Sequence, residues 1–296
     1  MSAAMFHRLK RFGIDPKKSL GQNFLIEEAV VYGIIEAAGV QAGDRVVEIG
    51  PGPGALTAPM LEKVGRVYAI ELDERLYPLL QDIQEEYAPV GKILEVEQND
   101  AMKVDYGKVA AHLGGKFHLV ANLPYHISTP ILFKLIDERF YIESMTLMFQ
   151  KEVAERIVAP PGGKNYGALS VMAQLFCQGK VRLKVKPGCF YPIPKVESAV
   201  IHLTVQEEPR FPVDDLNVLR RTVHAAFSQR RKTLSNAIRQ VLPEAASEAL
   251  IAVGIDPMRR GETLSVEEFA LLANEVGRRL PEALPEATPE EMAKVS

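Results

Sequence analysis

The chain has 296 residues, 47% of them hydrophobic and 25% charged, with a formal net charge of −3 and a pI near 6.1. That length holds one large domain or two smaller ones, and no apolar run approaches the ~18 residues of a membrane helix, so a soluble protein is expected. The first residues, MSAAMFHRLKRFGIDPKKSLGQ, lack the apolar core of a secretory signal, and Cys177 and Cys189 show no metal or redox spacing; a reducing cytoplasm without a metal site is expected. The acidic balance speaks against a nucleic-acid partner only if charge is evenly spread, which a sum does not show.

Along the chain, Val30, Val31, Ile34, Ile35 and Ala38 have helical spacing over 28–38, closed by Gly39. Short apolar strands are predicted at 45–50, 67–72, 92–98, 117–123 and 145–150, with helices around 55–64, 74–86, 102–113 and 130–138. Such alternation implies right-handed βαβ units and a mostly parallel, doubly wound α/β sheet. KVRLKVK at 180–186 alternates basic with apolar residues, and ESAVIHLTV at 197–205 reads as its antiparallel partner in an edge hairpin. From about 211 the pattern is helical only, through Leu216, Leu219, Val223, Phe227, Leu234 and Ile238. The predicted domains are therefore a sheet domain over 1–207 with a basic segment at 1–25, and a small all-α domain over 208–280. An acidic tail over 281–296, rich in Pro-Glu, is expected to be disordered.

The residues with most chemical content are Glu48-Ile49-Gly50-Pro51-Gly52-Pro53-Gly54, between the first of these strands and a helix. Open α/β sheets bind nucleotide-like ligands there, and glycines let backbone approach the ligand. Glu71 ends the next strand, where a carboxylate can accept both ribose hydroxyls. Asp100 follows the third, where it can accept from an adenine amino group. Taken singly, these have ordinary alternatives: a tight βα turn, a surface acid and a cap. Their joint placement on successive strand ends favours an adenosine site. The glycine spacing lacks the dinucleotide G-x-G-x-x-G form, so S-adenosylmethionine fits better than NAD.

The fourth strand ends in Asn122-Leu123-Pro124-Tyr125. Methylating an exocyclic adenine nitrogen requires localising a lone pair that is delocalised into the ring. The Asn122 side-chain oxygen and a carbonyl of Leu123 or Pro124 could accept from the amino group, and Pro124 restricts its neighbour to an extended conformation. Tyr125 could stack on an unpaired or flipped base. The reaction would be an in-line displacement at a sulfonium methyl, helped by positioning and electrostatics. His126 lacks an evident acid partner and reads as structural.

With these motifs stand KKSLGQNFL (17–25), VVEIGPGPGALT (46–57), AIELD (69–73), NDAM (99–102), FQKEVAERI (149–157), YGALSV (166–171), FYPIPKVESAV (190–200) and FSQRRKTLSNAI (227–238). In this order they resemble the ribosomal RNA adenine N6,N6-dimethyltransferases, most closely the bacterial small-subunit, kasugamycin-sensitivity branch, over nearly the whole chain to about residue 275. The resemblance implies a Rossmann-like class I methyltransferase sheet and an S-adenosylmethionine site lined by Asn23, Leu25, Gly50, Glu71, Asp100 and Asn122. It also implies that Gln22 through Leu25 cover the methionine end of the cofactor, that Asn122, Leu123, Pro124 and Tyr125 form the catalytic loop, and that Phe190 faces Tyr125 across the target base. The implied substrate is a pair of adjacent adenines in the 3′-terminal hairpin loop of small-subunit rRNA, each receiving two methyl groups, late in assembly of a 30S particle. Leu123 and the small Ser128 are compatible with room for the first methyl.

Positive charge is concentrated in three segments: Arg8, Lys10, Arg11, Lys17 and Lys18; Lys180, Arg182, Lys184, Lys186 and Lys195; and Arg220, Arg221, Arg230, Arg231, Lys232 and Arg239. Among these, Lys17, Lys18, Lys184, Lys186, Arg220, Arg221, Arg230, Arg231 and Lys232 are the candidate RNA contacts. A monomer is expected. The alternatives are a macrolide-resistance methyltransferase acting on large-subunit rRNA, and a non-catalytic RNA-binding assembly or transcription factor on the same fold.

Overall fold

The computed structural model describes residues 3–280; the acidic tail predicted at 281–296 lies outside the described residues. In chain order the elements are α1 (Ala3–Arg11), β1 (Phe24–Leu25), α2 (Glu28–Ala38), β2 (Val46–Ile49), α3 (Thr57–Val64), β3 (Arg66–Glu71), α4 (Tyr77–Tyr87), β4 (Ile93–Gln98), α5 (Tyr106–Leu113) and β5 (Phe117–Asn122). They continue with α6 (Ser128–Asp137), β6 (Ile142–Gln150), α7 (Lys151–Ile157), α8 (Ala168–Phe176), β7 (Cys177–Val185), β8 (Phe190–Tyr191), β9 (Ser198–Val205), α9 (Leu216–Ser228), α10 (Leu234–Ile238), α11 (Ala246–Ala252) and α12 (Val266–Arg279). Among the described residues, 3–154 with Gln178–Val205 form one compact unit, and Glu155–Cys177 with 206–280 form another.

In the first unit, seven strands pair in the order β4-β3-β2-β5-β6-β9-β7. The pairs from β4 through β6 are parallel, and β9 runs antiparallel to β6. Every residue of β2 is buried, as a strand covered on both faces requires. The predicted helix at 28–38 is α2 with those bounds, ended by Gly39 at φ 69°, the left-handed conformation glycine adopts without a Cβ clash. The expected edge hairpin is formed by β7 and β9. Along β7, Lys180, Arg182 and Lys184 are exposed while Val181, Leu183 and Val185 turn inward, so its alternation is the period-2 pattern of a half-buried strand. A second, two-stranded sheet was not foreseen: β1 pairs antiparallel with β8, matching Phe24 to Tyr191 and Leu25 to Phe190.

Because β2 sits between β3 and β5, the chain winds one way from β2 to β4 and the other way from β5 to β6. The sheet's switch point thus falls between Gly50 and Asn122, the position where open α/β sheets bind ligands.

The second unit is helical. Asp215 caps α9 by accepting from the Asn217 and Val218 N–H groups, and Ser265 with Glu268 forms a capping box on α12. Phe227 packs against Phe269 and Tyr166, with ring centroids 5.6 and 5.9 Å away. The sequence division at 207/208 left 155–177 with the sheet, whereas the contacts group these residues with the helices. The reason is α8, buried on nearly all sides, which packs on α9 and α12. Among the described residues, no helix is long and apolar enough to cross a membrane.

Candidate active site

The carboxyl ends of four neighbouring strands bring together residues far apart in sequence. Gly50 follows β2, Glu71 ends β3, Asn122 ends β5, and Asp100 lies just past β4. They border a cavity of about 330 Å³ whose wall also includes Asn23, Leu25, Leu123, Pro124 and Tyr125. Every predicted cofactor residue is therefore at one cavity, of the size that holds a nucleoside-sized ligand.

The three glycines of the turn have different tasks. All have positive φ: 68° at Gly50, 57° at Gly52 and 82° at Gly54. A Cβ on Gly54 would collide with Ile83, and one on Gly52 would press the Phe24 ring at 3.3 Å, whereas one on Gly50 would meet nothing within 4 Å. Gly54 and Gly52 thus serve packing. Gly50 alone presents bare backbone to open space, the cradle that a bound adenosine would fill.

Glu71 is 5% exposed. Its Oε1 accepts from the Asp73 N–H at 2.8 Å and its Oε2 from the Gly52 N–H at 3.2 Å. Burial raises its pKa despite those bonds, so a ligand that donates hydroxyl hydrogens is met by an acceptor deprived of water. Glu48 escaped the sequence reading as a site group. It is 1% exposed, lines the cavity and accepts from Thr57 Oγ1 at 2.7 Å. Burial pushes its pKa up to about 8, with Thr57 opposing and Glu71 adding to the rise. Its signal was an acid at the end of an otherwise apolar strand, directly before the glycines. A cationic ligand in the cavity draws both carboxyls toward ionisation. An apolar wall, two buried acids and open space at Gly50 fit the sulfonium and adenosine of S-adenosylmethionine. Asp100 is held by its own loop, with Oδ1 accepting from the Met102 N–H at 2.9 Å.

Asn122 is oriented from outside its own loop: its Nδ2 donates to the Asn23 carbonyl at 3.1 Å, which commits the amide's donor side and leaves Oδ1 as acceptor. The Pro124 carbonyl accepts from the Ile127 N–H at 3.2 Å, so Leu123 is the better source of the second acceptor. Tyr125 bonds Ser198 Oγ through its hydroxyl at 2.7 Å, which fixes the ring. Its pKa is raised by burial. Ser128 does not line the cavity; it is fully buried and donates to the Tyr125 carbonyl at 2.9 Å. Nor does Phe190 reach the cavity wall. It is 1% exposed and packs in the same hydrophobic core as Leu25, its partner in the β1–β8 register. His126 is exposed and lies against Gly21.

Of the candidate RNA contacts, Lys17, Lys18, Lys184, Lys186, Arg231 and Lys232 are exposed, and Arg220 and Arg221 are half-buried. Arg230 has a structural commitment: its Nη2 donates to the Tyr166 carbonyl at 2.8 Å, and it lies 3.6 Å from Glu262. In the N-terminal segment, Arg8 and Arg11 pair with Asp82, at 3.3 and 2.8 Å. Part of the charge that read as an RNA surface therefore fastens the chain to itself.

Residues 14–277 match the family model described as ribosomal RNA adenine dimethylase. The "Ribosomal RNA small subunit methyltransferase A" of Magnetococcus marinus is 47% identical over 90% of this chain and 94% of its own length. That of Clostridium acetobutylicum is 44% identical over 91% of this chain and 97% of its own. Among solved structures, a dimethyladenosine transferase from Plasmodium falciparum superposes with a TM-score of 0.72 at 27% identity, covering 86% of this chain and 98% of its own. The 23S rRNA methyltransferase ErmE superposes at 0.65 and 23% identity over 86% of this chain and all of its own, a likeness of fold.

Proposed function

Because this chain belongs to the ribosomal RNA adenine dimethylase family, we propose that it dimethylates two adjacent adenines in the 3′-terminal hairpin loop of small-subunit rRNA, late in 30S assembly. As an rRNA adenine dimethyltransferase it depends on S-adenosylmethionine. Bound in the cavity, this cofactor supplies a sulfonium methyl for in-line transfer to adenine N6. Glu71 accepts from the ribose hydroxyls, Asp100 from the cofactor's adenine amino group, and Gly50 allows close backbone approach. Asn122 Oδ1 and the Leu123 carbonyl accept from the target amino group and draw its lone pair out of the ring. Tyr125 stacks on the base. After the first transfer one N6 hydrogen remains, so one of the two acceptors suffices to orient the monomethylated base. The observation that supports this reading is the Asn122 amide at the cavity wall with its Nδ2 bonded to the Asn23 carbonyl, which leaves Oδ1 as the acceptor for an exocyclic amine.

Small-subunit rather than large-subunit RNA is favoured because the small-subunit relatives are 47% and 44% identical, against 23% for ErmE. Incubation with methyl-labelled S-adenosylmethionine is expected to label undermethylated 30S particles and leave 50S particles unlabelled. Label in the large subunit would support the macrolide-resistance alternative instead, and no label in either would support a non-catalytic factor.

RNA contact is proposed for Lys17, Lys18, Lys184, Lys186, Arg220, Arg221, Arg231 and Lys232, with the enzyme acting as a cytoplasmic monomer. Joint Arg231→Ala and Lys232→Ala should flatten the dependence of log K on log salt for 30S binding by about 1 to 2. Arg230→Ala should act mainly on stability. An unchanged slope in the double variant would remove these residues from the RNA surface.

A further inference from the structure

A buried acid outside the transfer chemistry ties the N-terminal segment to the cofactor cavity. Asp73 is 5% exposed and does not line the cavity. Its carboxylate accepts from Gln22 Nε2 at 2.8 Å, and from Arg75 Nε at 2.8 Å and Nη2 at 2.5 Å. Its own N–H donates to Glu71. Gln22 is fixed in turn, its Oε1 accepting from the Lys17 N–H at 2.7 Å. Residues 20–25 form one continuous side of the cavity wall, and Phe24 closes against Gly52. Hydrogen bonds tie this segment to the rest of the fold at two places. One, at Asn23 through Leu25, is the strand pair with β8 and the bond to Asn122. The other is a side-chain contact, Gln22 to Asp73.

We propose that Asp73 is a latch, a positioning residue whose carboxylate holds Gln22 and keeps residues 17–22 closed over the bound cofactor, so that it governs cofactor retention. This rests on the reading of the cavity as the S-adenosylmethionine site. A charge-assisted hydrogen bond at a shielded position is strong enough to hold a short segment and single enough to release it. The strand pair then acts as the hinge. Arg75 holds the Asp73 carboxyl below the usual carboxylate range, so the acceptor stays charged at neutral pH.

The test measures dissociation of S-adenosylhomocysteine and amide exchange over 17–25, in wild type, Asp73→Asn, Gln22→Glu and Gln22→Lys. Asp73→Asn and Gln22→Glu are expected to speed dissociation about tenfold and hasten exchange at 17–22. In Asp73→Asn the KM for S-adenosylmethionine should rise similarly, with kcat at saturation within about threefold. Gln22→Lys keeps a donor facing Asp73 and should dissociate more slowly than Gln22→Glu, a difference that lost packing alone would not give. Should Asp73→Asn fail to fold, the two Gln22 variants decide. Folded variants with wild-type dissociation and exchange overturn the latch alone. A wild type that does not bind S-adenosylhomocysteine overturns the cofactor reading with it.

Discussion

Asn122→Ala is expected to lower the rate of methyl transfer by about 10²–10³, the usual effect of removing one aimed hydrogen-bonding group from a reacting centre. The loss should fall on kcat in single-turnover assays. Affinity for 30S particles should change little, because the RNA contacts proposed above lie on basic side chains elsewhere. Asn122→Asp adds a sharper comparison. It keeps an acceptor oxygen but replaces the Nδ2 donor, so a carboxylate oxygen faces the Asn23 carbonyl now 3.1 Å away. Activity should fall here too, because the acceptor is no longer held in direction. Retention of rate within tenfold by Asn122→Ala would remove this side chain from the chemistry.

Glycine substitutions in the turn should separate folding from binding. In Gly54→Ala the new methyl meets Ile83 at a φ of 82°, so strain and overpacking together cost about 2–4 kcal/mol. That corresponds to a fall of roughly 10 °C in Tm for a domain of this size. Gly50→Ala carries the conformational strain, about 1 kcal/mol, but no collision, since nothing lies within 4 Å. It should melt within a few degrees of wild type and lose cofactor affinity, because its methyl projects where the ligand's atoms would lie. The opposite pattern, a cofactor-binding Gly50→Ala with a large loss of Tm, would show that Gly50 serves packing.

Much of the sheet and the gathering of most candidate site residues at one cavity were legible because they depend on local pattern. Short apolar runs ending in Gly50, Glu71 and Asn122, with Asp100 just beyond another, put chemistry at strand ends, and a parallel sheet aligns those ends. The alternation at 180–186 gave the edge strand and its exposed lysines. What stayed hidden depends on partners distant in sequence. Asn23 meets Asn122 because β1 pairs with β8, a contact between two-residue strands too short to leave a periodic signal. Gln22 and Asp73 are joined by a side-chain bond across 51 positions, which likewise leaves no local pattern. Phe190, expected from the resemblance to face Tyr125, packs beside Leu25 in the core, a neighbour that its local sequence does not reveal. The bonds of Arg8, Arg11 and Arg230 to the rest of the chain stayed hidden too, because charge in a sequence carries no record of its partner. Residues 155–177 joined the helical unit because α8, apolar all round, had to be enclosed.

The cavity and the Asn122 loop are proposed to deliver methyl groups to N6 of unpaired rRNA adenines. The most direct test of this transfer is nucleotide-level mass spectrometry of rRNA from undermethylated 30S particles, after incubation with wild-type protein and S-adenosylmethionine. N6,N6-dimethyladenosine is expected at two adjacent positions of the 3′-terminal hairpin loop, with Asn122→Ala leaving both adenines largely unmodified. Methyl groups at other nucleotides, or on ring nitrogens rather than N6, would contradict it.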